Sequence, residues 1–155
     1  MCLNSLGQNW HALLTILIAI ITLFIAWQQL QANKLKLRLE RYERRMKIYE
    51  EVKKILILAI QDRNVQINEL MNFRGKAAEA DFLFGPQIPQ YIEEIYFRGL
   101  KLCRANTEYR DLKQVPPPGY DHNKVVEEIN SQFVWFTEQL QEAKRKFKNY
   151  LDISK

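Results

Sequence analysis

The apolar residues of this chain are concentrated near its start. They fill almost every position from Trp10 to Trp27, and the first Asp, Glu, Lys or Arg side chain is Lys34. These 18 residues would form about 27 Å of α-helix, close to the ~30 Å hydrocarbon thickness of a bilayer. Tryptophan at both ends is typical of the membrane–water interface. The pattern therefore predicts one transmembrane helix within residues 1–33.

Two other structures could carry such an apolar run. A helix buried in a soluble core would need to be surrounded on every side, which a chain of 155 residues is too small to achieve around 18 apolar residues. A cleaved signal peptide would need a basic region before the apolar run and small residues after it. Residues 1–9 carry no charged side chain, and Trp27 is followed by glutamines. We therefore expect a retained anchor.

From residue 34 onward, apolar side chains recur at spacings of three and four, which predicts helices. The first helix continues past the span to a turn at residues 61–64, and Asp121 is the predicted cap of the last helix. Further helices are predicted at residues 66–81, 89–112 and 122–151. The fold class is thus all-α: one N-terminal transmembrane helix continuous with a cytosolic bundle of about four helices. The predicted domains are residues 1–33 and 34–155.

The same spacing predicts which side chains form the core. The first helix contributes a stripe of Leu35, Leu39, Tyr42, Met46, Tyr49, Val52 and Leu56. The second faces inward with Ile67, Leu70, Met71, Ala77 and Ala78, and the third with Ile92, Ile95, Tyr96, Leu102 and Tyr109. The last contributes Val126, Ile129, Phe133, Phe136, Leu140 and Phe147. A corner is predicted at residues 82–86, where Gly85 permits a left-handed backbone and Pro86 prevents the helix from continuing.

The net charge of +5 is concentrated beside the predicted span. Residues 34–54 hold nine Lys or Arg against four Glu, whereas residues 55–155 hold fourteen of each sign. Basic residues after the span and none before it predict that the C-terminal part lies in the cytoplasm and the N-terminus outside, by the positive-inside rule.

Six basic side chains follow the span closely and are candidate ligands for phosphate: Lys34, Lys36, Arg38, Arg41, Arg44 and Arg45. One interpretation is that they set the topology and attract anionic lipid. The other is that several copies of the chain form a ring of arginines around a phosphorylated ligand, because a guanidinium donates two parallel hydrogen bonds.

Small and polar residues within the span follow a regular spacing of three and four, which places them on one helix face. They are Ala12, Thr15, Ala19, Thr22 and Ala26, called here the packing seam. Small residues allow helices to approach closely in lipid. The seam predicts a homo-oligomer, although alanine and threonine are also common in spans without such a role.

The sequence contains no catalytic or metal-binding pattern that we recognise. It has no Gly-rich phosphate loop, its two histidines have no Cys or His close by, and adjacent Glu pairs point in different directions on a helix. We therefore expect no enzyme, no metal and no cofactor.

Several stretches resemble a widespread group of small bacterial proteins with one N-terminal membrane helix. They are residues 36–50 (KLRLERYERRMKIYE), 81–88 (DFLFGPQI), Trp135-Phe136 and 147–153 (FKNYLDI). That group usually has proline at the position of Asn149. The resemblance covers most of the chain and implies a location in the bacterial inner membrane, but it implies no particular activity.

The architecture is also similar to that of membrane effectors of type III CRISPR systems, in which a membrane helix joins a cytosolic domain that binds a cyclic oligoadenylate. By this analogy, we expect a self-associating sensor and effector of anti-phage defence. Its cytosolic domain would bind an anionic ligand such as a cyclic oligonucleotide, and its span would then perturb the membrane. The alternative is a passive scaffold that recruits a cytosolic protein partner to anionic membrane.

Overall fold

In a computed structural model, the protein is described for residues 3–110, 115 and 117–152, with side chains from residue 10 onward. Five α-helices follow one another along the chain, and the described residues contain no strand. Their bounds are Leu3–Gln61 (α1), Ile67–Lys76 (α2), Ala80–Leu83 (α3), Gln87–Glu108 (α4) and His122–Phe147 (α5). The all-α fold class is therefore confirmed, with a long apolar N-terminal helix followed by a helical bundle.

The chain forms two compact units, Met1–Glu40 (unit 1) and Arg41–Lys155 (unit 2). Within unit 1, every residue from Trp10 onward is exposed. The helix is long and apolar enough to cross a membrane. None of its most apolar 18 residues is buried within the described part of the chain, as the core helix of a soluble protein would be.

Unit 2 is built around a core to which all of its helices contribute. From α1, the buried residues Ile48, Val52, Ile55, Leu56 and Ala59 recur at spacings of three and four, so they lie on one face. They join one cluster with buried residues of the other helices, among them Leu70, Phe73, Ile88, Ile92, Ile95, Leu102, Phe136 and Phe147. This burial, rather than intrinsic helix propensity, provides most of the stability of such helices.

Helix α4 lies centrally in unit 2, because it contacts α2, α3 and α5. Its close contact with α2 depends on Gly99, since a Cβ atom there would lie only 2.4 Å from Leu70 Cδ2. Arg74 of α2 reinforces the contact: its guanidinium lies 4.8 Å from the centre of the Tyr96 ring, and its Nε is 3.1 Å from Glu93 Oε1.

The contact between α4 and α5 includes polar groups that are buried. The Tyr91 hydroxyl donates a hydrogen bond to the carbonyl oxygen of Gln139, 3.2 Å away. Burial, with Glu142 and Glu94 nearby, raises the pKa of Tyr91 above its usual range. Gln132 is also buried, and its amide oxygen accepts from Arg98 Nη1 at 3.3 Å. Two glutamines therefore occupy core positions that the apolar pattern of α5 does not predict.

Several predicted boundaries and core positions are corrected by the structure. The predicted second helix is two helices, α2 and α3, separated at residues 77–79. Ile67 and Met71 are 56% and 60% exposed, although they were expected to face inward. Ala78 is exposed too, whereas Phe73 is buried. The buried face of α2 is thus set by its contact with α4.

The remaining differences concern helix ends and the corner after α3. Helix α4 ends at Glu108, which leaves Tyr109 exposed; the predicted end at residue 112 lies outside the described residues. Helix α5 ends at Phe147, and its predicted cap is confirmed, because the Asp121 carboxylate accepts from the backbone N–H of Lys124. Along α1, Leu35 and Leu39 are exposed, so the core stripe begins further along the helix than predicted.

Gly85 does not adopt the left-handed backbone that was expected. Its lack of a side chain matters for another reason, because a Cβ atom there would lie 2.9 Å from the Tyr150 hydroxyl oxygen. The corner is therefore a point of close approach between the end of α3 and the C-terminal residues.

We predict that the same substitution has opposite effects at two helical glycines. Gly99→Ala should destabilise unit 2 by about 1–2 kcal/mol, because overpacking against buried Leu70 outweighs the higher helix propensity of alanine. Gly75→Ala is the control: nothing lies within 4 Å of its added Cβ, so it should stabilise by about 0.5–1 kcal/mol. Denaturation of the full-length protein in detergent, followed by circular dichroism, measures both. A stabilising Gly99→Ala would show that the α2–α4 contact is looser than described.

Candidate membrane segment and basic segment

The apolar segment, Trp10–Trp27, presents large apolar side chains on every face of the helix except the packing seam. Twelve large ones are exposed: Trp10, Leu13, Leu14, Ile16, Leu17, Ile18, Ile20, Ile21, Leu23, Phe24, Ile25 and Trp27. Because the helix bonds its backbone internally, a segment of this kind is stable in hydrocarbon. The tryptophans at its two ends are 62% and 57% exposed, available to lie at the depth of the lipid headgroups.

The five residues of the packing seam are all exposed on α1. Two of them are threonines, and their hydroxyls are already used. Thr15 donates to the carbonyl oxygen of His11 at 2.8 Å, and Thr22 donates to that of Ile18. The seam therefore offers another helix a row of small side chains, rather than threonine donors without an acceptor. Its role in self-association stays a prediction.

The six predicted phosphate ligands differ in their surroundings. Lys34, Lys36, Arg38, Arg41 and Arg44 are exposed. The first three belong to unit 1, whereas the other basic residues belong to unit 2. Arg45 is the exception, because its side chain is half-buried and makes defined contacts within unit 2.

Arg45 connects three parts of the chain that are distant in sequence. Its Nε donates to the carbonyl oxygen of Leu83 at 3.0 Å, and its Nη1 donates to that of Tyr150 at 3.2 Å. The guanidinium carbon also lies 5.7 Å from the centres of the Phe84 and Tyr150 rings. Phe84 and Tyr150 in turn contact each other edge to face, with ring centres 5.3 Å apart.

The environment of Arg45 is less favourable to its charge than water would be. Burial lowers the pKa of the guanidinium, and the positive charge of Arg41 one turn earlier lowers it further. The group remains charged at neutral pH, since an arginine pKa is far above 7. Two of its donor groups are used by carbonyls, which leaves fewer of them for the phosphate ligand that the sequence predicts.

One cavity of unit 2 is lined by none of the six predicted phosphate ligands. It is a cleft of about 640 Å³ between the end of α4 and the start of α5, called here the α4–α5 cleft. Its charged lining residues are four basic, Lys101, Arg104, Arg110 and Lys124, and three acidic, Glu108, Asp121 and Glu128.

Several of these charges are satisfied within the cleft. Arg104 Nε pairs with Glu108 Oε1 at 2.7 Å, and Arg110 Nη1 donates to two backbone carbonyls. The exposed amines of Lys101 and Lys124 remain as groups that could attract an anion. Sequence analysis did not identify this cleft, because it joins residues from two helices and a loop.

The Trp135 ring makes two defined contacts. The Arg98 guanidinium lies 4.6 Å from the centre of its ring, and Phe136 contacts it edge to face at 5.1 Å.

Within the described residues, no group of three or more His, Cys, Asp or Glu side chains could hold a metal ion.

Comparison with known proteins does not place this chain in a family. No protein-family model matches the sequence, and neither the curated proteins nor the solved structures contain a match. The resemblance to small bacterial membrane proteins therefore stays a prediction, and the function is inferred from the residues themselves.

We predict that Arg45→Lys destabilises unit 2 by about 1–2 kcal/mol. Lysine keeps the charge, but its single amine cannot reproduce the two hydrogen bonds to carbonyls and the planar contact with the rings. Arg38→Lys is the matched control and should change stability by less than about 0.5 kcal/mol, since that side chain is exposed. Denaturation of full-length protein in detergent measures both, and equal effects would contradict a structural role for Arg45.

Proposed function

We propose that this chain is a single-pass membrane protein that holds a helical domain at an anionic membrane surface. The observation that carries the proposal is the exposure of the apolar segment: none of its 18 residues is buried within the described chain. Lipid is the environment that satisfies such a surface.

The proposal places unit 2 in the cytoplasm and the N-terminus outside. Support comes from the distribution of basic residues: Lys34, Lys36 and Arg38 follow the apolar segment within about three helical turns, and residues 1–9 contain no Lys or Arg. The proposed membrane is the bacterial inner membrane, on the strength of the sequence resemblance alone.

The basic residues also support binding of anionic phospholipid. Lys34, Lys36 and Arg38 are exposed, and a basic residue close to an anionic surface contributes roughly 1 kcal/mol to binding. Five cavities with defined linings include none of these side chains, and an extended lipid surface needs no cavity. On this proposal the protein is a non-enzymatic scaffold, and unit 2 recruits a cytosolic protein partner.

Lipid composition tests this proposal. We predict that the variant Lys34→Gln, Lys36→Gln, Arg38→Gln lowers the enrichment of phosphatidylglycerol around the full-length protein about tenfold or more, because three near-surface charges are lost. The control variant Lys53→Gln, Lys54→Gln, Lys124→Gln removes the same charge from exposed positions of unit 2 and should lower it much less. Mass spectrometry of lipids retained in nanodiscs measures the enrichment. Equal losses in the two variants would contradict the assignment.

A second candidate function is the sensor and effector of anti-phage defence. Two observations favour it: the exposed packing seam, which suits self-association, and the α4–α5 cleft, whose volume lies in the range of small-molecule sites. On this proposal, an anionic ligand such as a cyclic oligonucleotide binds near Lys101 and Lys124 and changes how the spans associate.

Disulfide crosslinking tests the second candidate, in a Cys2→Ser, Cys103→Ser background. We predict that single cysteines at Ala12, Ala19 and Ala26 crosslink between chains more strongly than cysteines at Leu14 and Ile18. For a sensor, adding a cyclic oligoadenylate at low salt should change the yields, and raising the salt should abolish the change. Equal crosslinking yields at all five positions would contradict self-association through the packing seam. Yields that do not change when the nucleotide is added would contradict the sensor function.

A further inference from the structure

A row of apolar side chains on α1, beyond the apolar segment, remains open to solvent. Leu35 and Leu39 are 56% and 42% exposed, and Tyr42 and Met46 are half-buried. We propose that this row, the pairing stripe (Ala32, Leu35, Leu39, Tyr42 and Met46), packs against the same row of a second copy of the chain as a parallel coiled coil. The inference rests on the proposed membrane anchoring, which holds two copies side by side in the same orientation.

The pairing stripe has the spacing of a coiled-coil heptad, written abcdefg with apolar residues at a and d. Its members follow one another at three, four, three and four residues along one unbroken helix. Ala32, Leu39 and Met46 take position a, and Leu35 and Tyr42 take position d. This spacing allows the side chains of two helices to interlock in successive layers.

The next d position, Tyr49, belongs to the bundle of unit 2. Its ring lies 5.3 Å from that of Phe147, and its neighbour Ile48 is buried. The heptad pattern is thus covered by the chain itself from Tyr49 onward, whereas Leu35 and Leu39 are exposed.

Other exposed leucines on this part of α1 lack the heptad spacing. Leu30 and Leu37 are 52% and 61% exposed, and both fall at position f, which points away from a and d. One apolar residue per heptad does not build interlocking layers. These two leucines are therefore controls of the same residue type on the same helix.

Charge complementarity selects a parallel copy of this chain as the partner. Arg38, at position g, and Glu43, at position e, are both exposed. In a parallel pair, a g side chain lies beside the e side chain of the following heptad in the partner helix. Arg38 of each copy therefore lies beside Glu43 of the other. Lys36, the other charged e residue of the stripe, lies beside the neutral Gln31.

The remaining basic residues of the segment are directed away from the partner. Lys34 and Arg41 fall at position c, Lys47 at b and Arg44 at f, which form the outer surface of a coiled coil. Arg45 falls at g but is held by two carbonyls of its own unit. Repulsion between the outer charges acts through water, where salt screens it within about 8–10 Å.

Anchoring compensates for the shortness of the stripe. Isolated helices of fewer than about 12–15 residues are marginal in water, but this one continues directly from the apolar segment within α1. Confinement of two copies to one bilayer also raises their effective concentration.

The pairing stripe is distinct from the packing seam of the apolar segment. Continued through the span, the same heptad register places Ala12, Ala19 and Ala26 at position b. The seam threonines fall at position e. Crosslinks at the seam and crosslinks at the stripe therefore report different contacts.

The test uses the full-length protein with Cys2→Ser and Cys103→Ser, diluted into phosphatidylcholine vesicles, where no anionic lipid competes for Arg38. Single cysteines replace Leu35 or Leu39 and, as controls, Leu30 or Leu37. A disulfide forms only where two Cβ atoms approach to about 3.5–4.5 Å, so we expect initial crosslinking rates at positions 35 and 39 to be about fivefold or more above the controls.

Exchange of charges supplies the second arm. With the cysteine at position 39, Glu43→Arg should lower the crosslinking rate about fivefold, because two attractions per pair become repulsions. Adding Arg38→Glu to the same chain restores both attractions in exchanged form and should recover most of the rate. Glu79→Arg makes the same charge change at an exposed position between α2 and α3 and should leave the rate unchanged.

Equal rates at all four cysteines would overturn the inference, as would a charge exchange that restores nothing. So would an absence of crosslinks at positions 35 and 39 in protein that floats with the vesicles, since the stripe would then serve a different partner. Protein that does not float with the vesicles would contradict the proposed anchoring itself, which flotation scores separately from crosslinking.

Discussion

The free energy of exposing the apolar segment to water is the constraint on which the rest of the molecule depends. Twelve large apolar side chains between Trp10 and Trp27 are exposed on every face of the helix except the packing seam, and no residue from 10 to 27 is buried within the described chain. A Leu, Ile, Val or Phe at the centre of a span favours insertion by about 0.3–0.6 kcal/mol each. Added over such a segment, these contributions favour insertion, which on the proposed function confines the chain after residue 27 near the membrane surface.

A position near the membrane surface would bring the basic residues 34–38 close to lipid headgroups. Lys34, Lys36 and Arg38 are exposed and belong to the same unit as the apolar segment, so they can meet lipid headgroups without any change of fold. Arg45 has a different task, because its guanidinium joins α1 to the α3 corner and to the backbone of Tyr150. On the proposed function, the start of this basic run contacts the membrane, while Arg45 at its end holds parts of the helical bundle together.

The sequence predicts this molecule well where one helix face dominates, and less well where long-range contacts decide. The helical class, the apolar helix and the burial of Val52 and Leu56 follow from spacing and composition alone. Ile67 and Met71 were placed on the wrong side, because α2 is short and its orientation is fixed by the close approach of α4 at Gly99. The contacts of Arg45 could not be predicted, since the two carbonyls it binds lie 38 and 105 residues away. Hydrophobic periodicity indicates which face of a helix is buried, but not which element packs against that face.

Accessibility of spin labels along the apolar segment tests the central claim most directly. A nitroxide would be placed in turn at every position from residue 10 to 27 of the full-length protein in vesicles, and its collisions with oxygen and with a water-soluble nickel chelate compared. Our account predicts that the ratio of oxygen to nickel collisions is highest near Ala19 and falls towards Trp10 and Trp27, because oxygen concentrates in hydrocarbon. High nickel accessibility throughout the segment would show that it lies in water and would contradict the account.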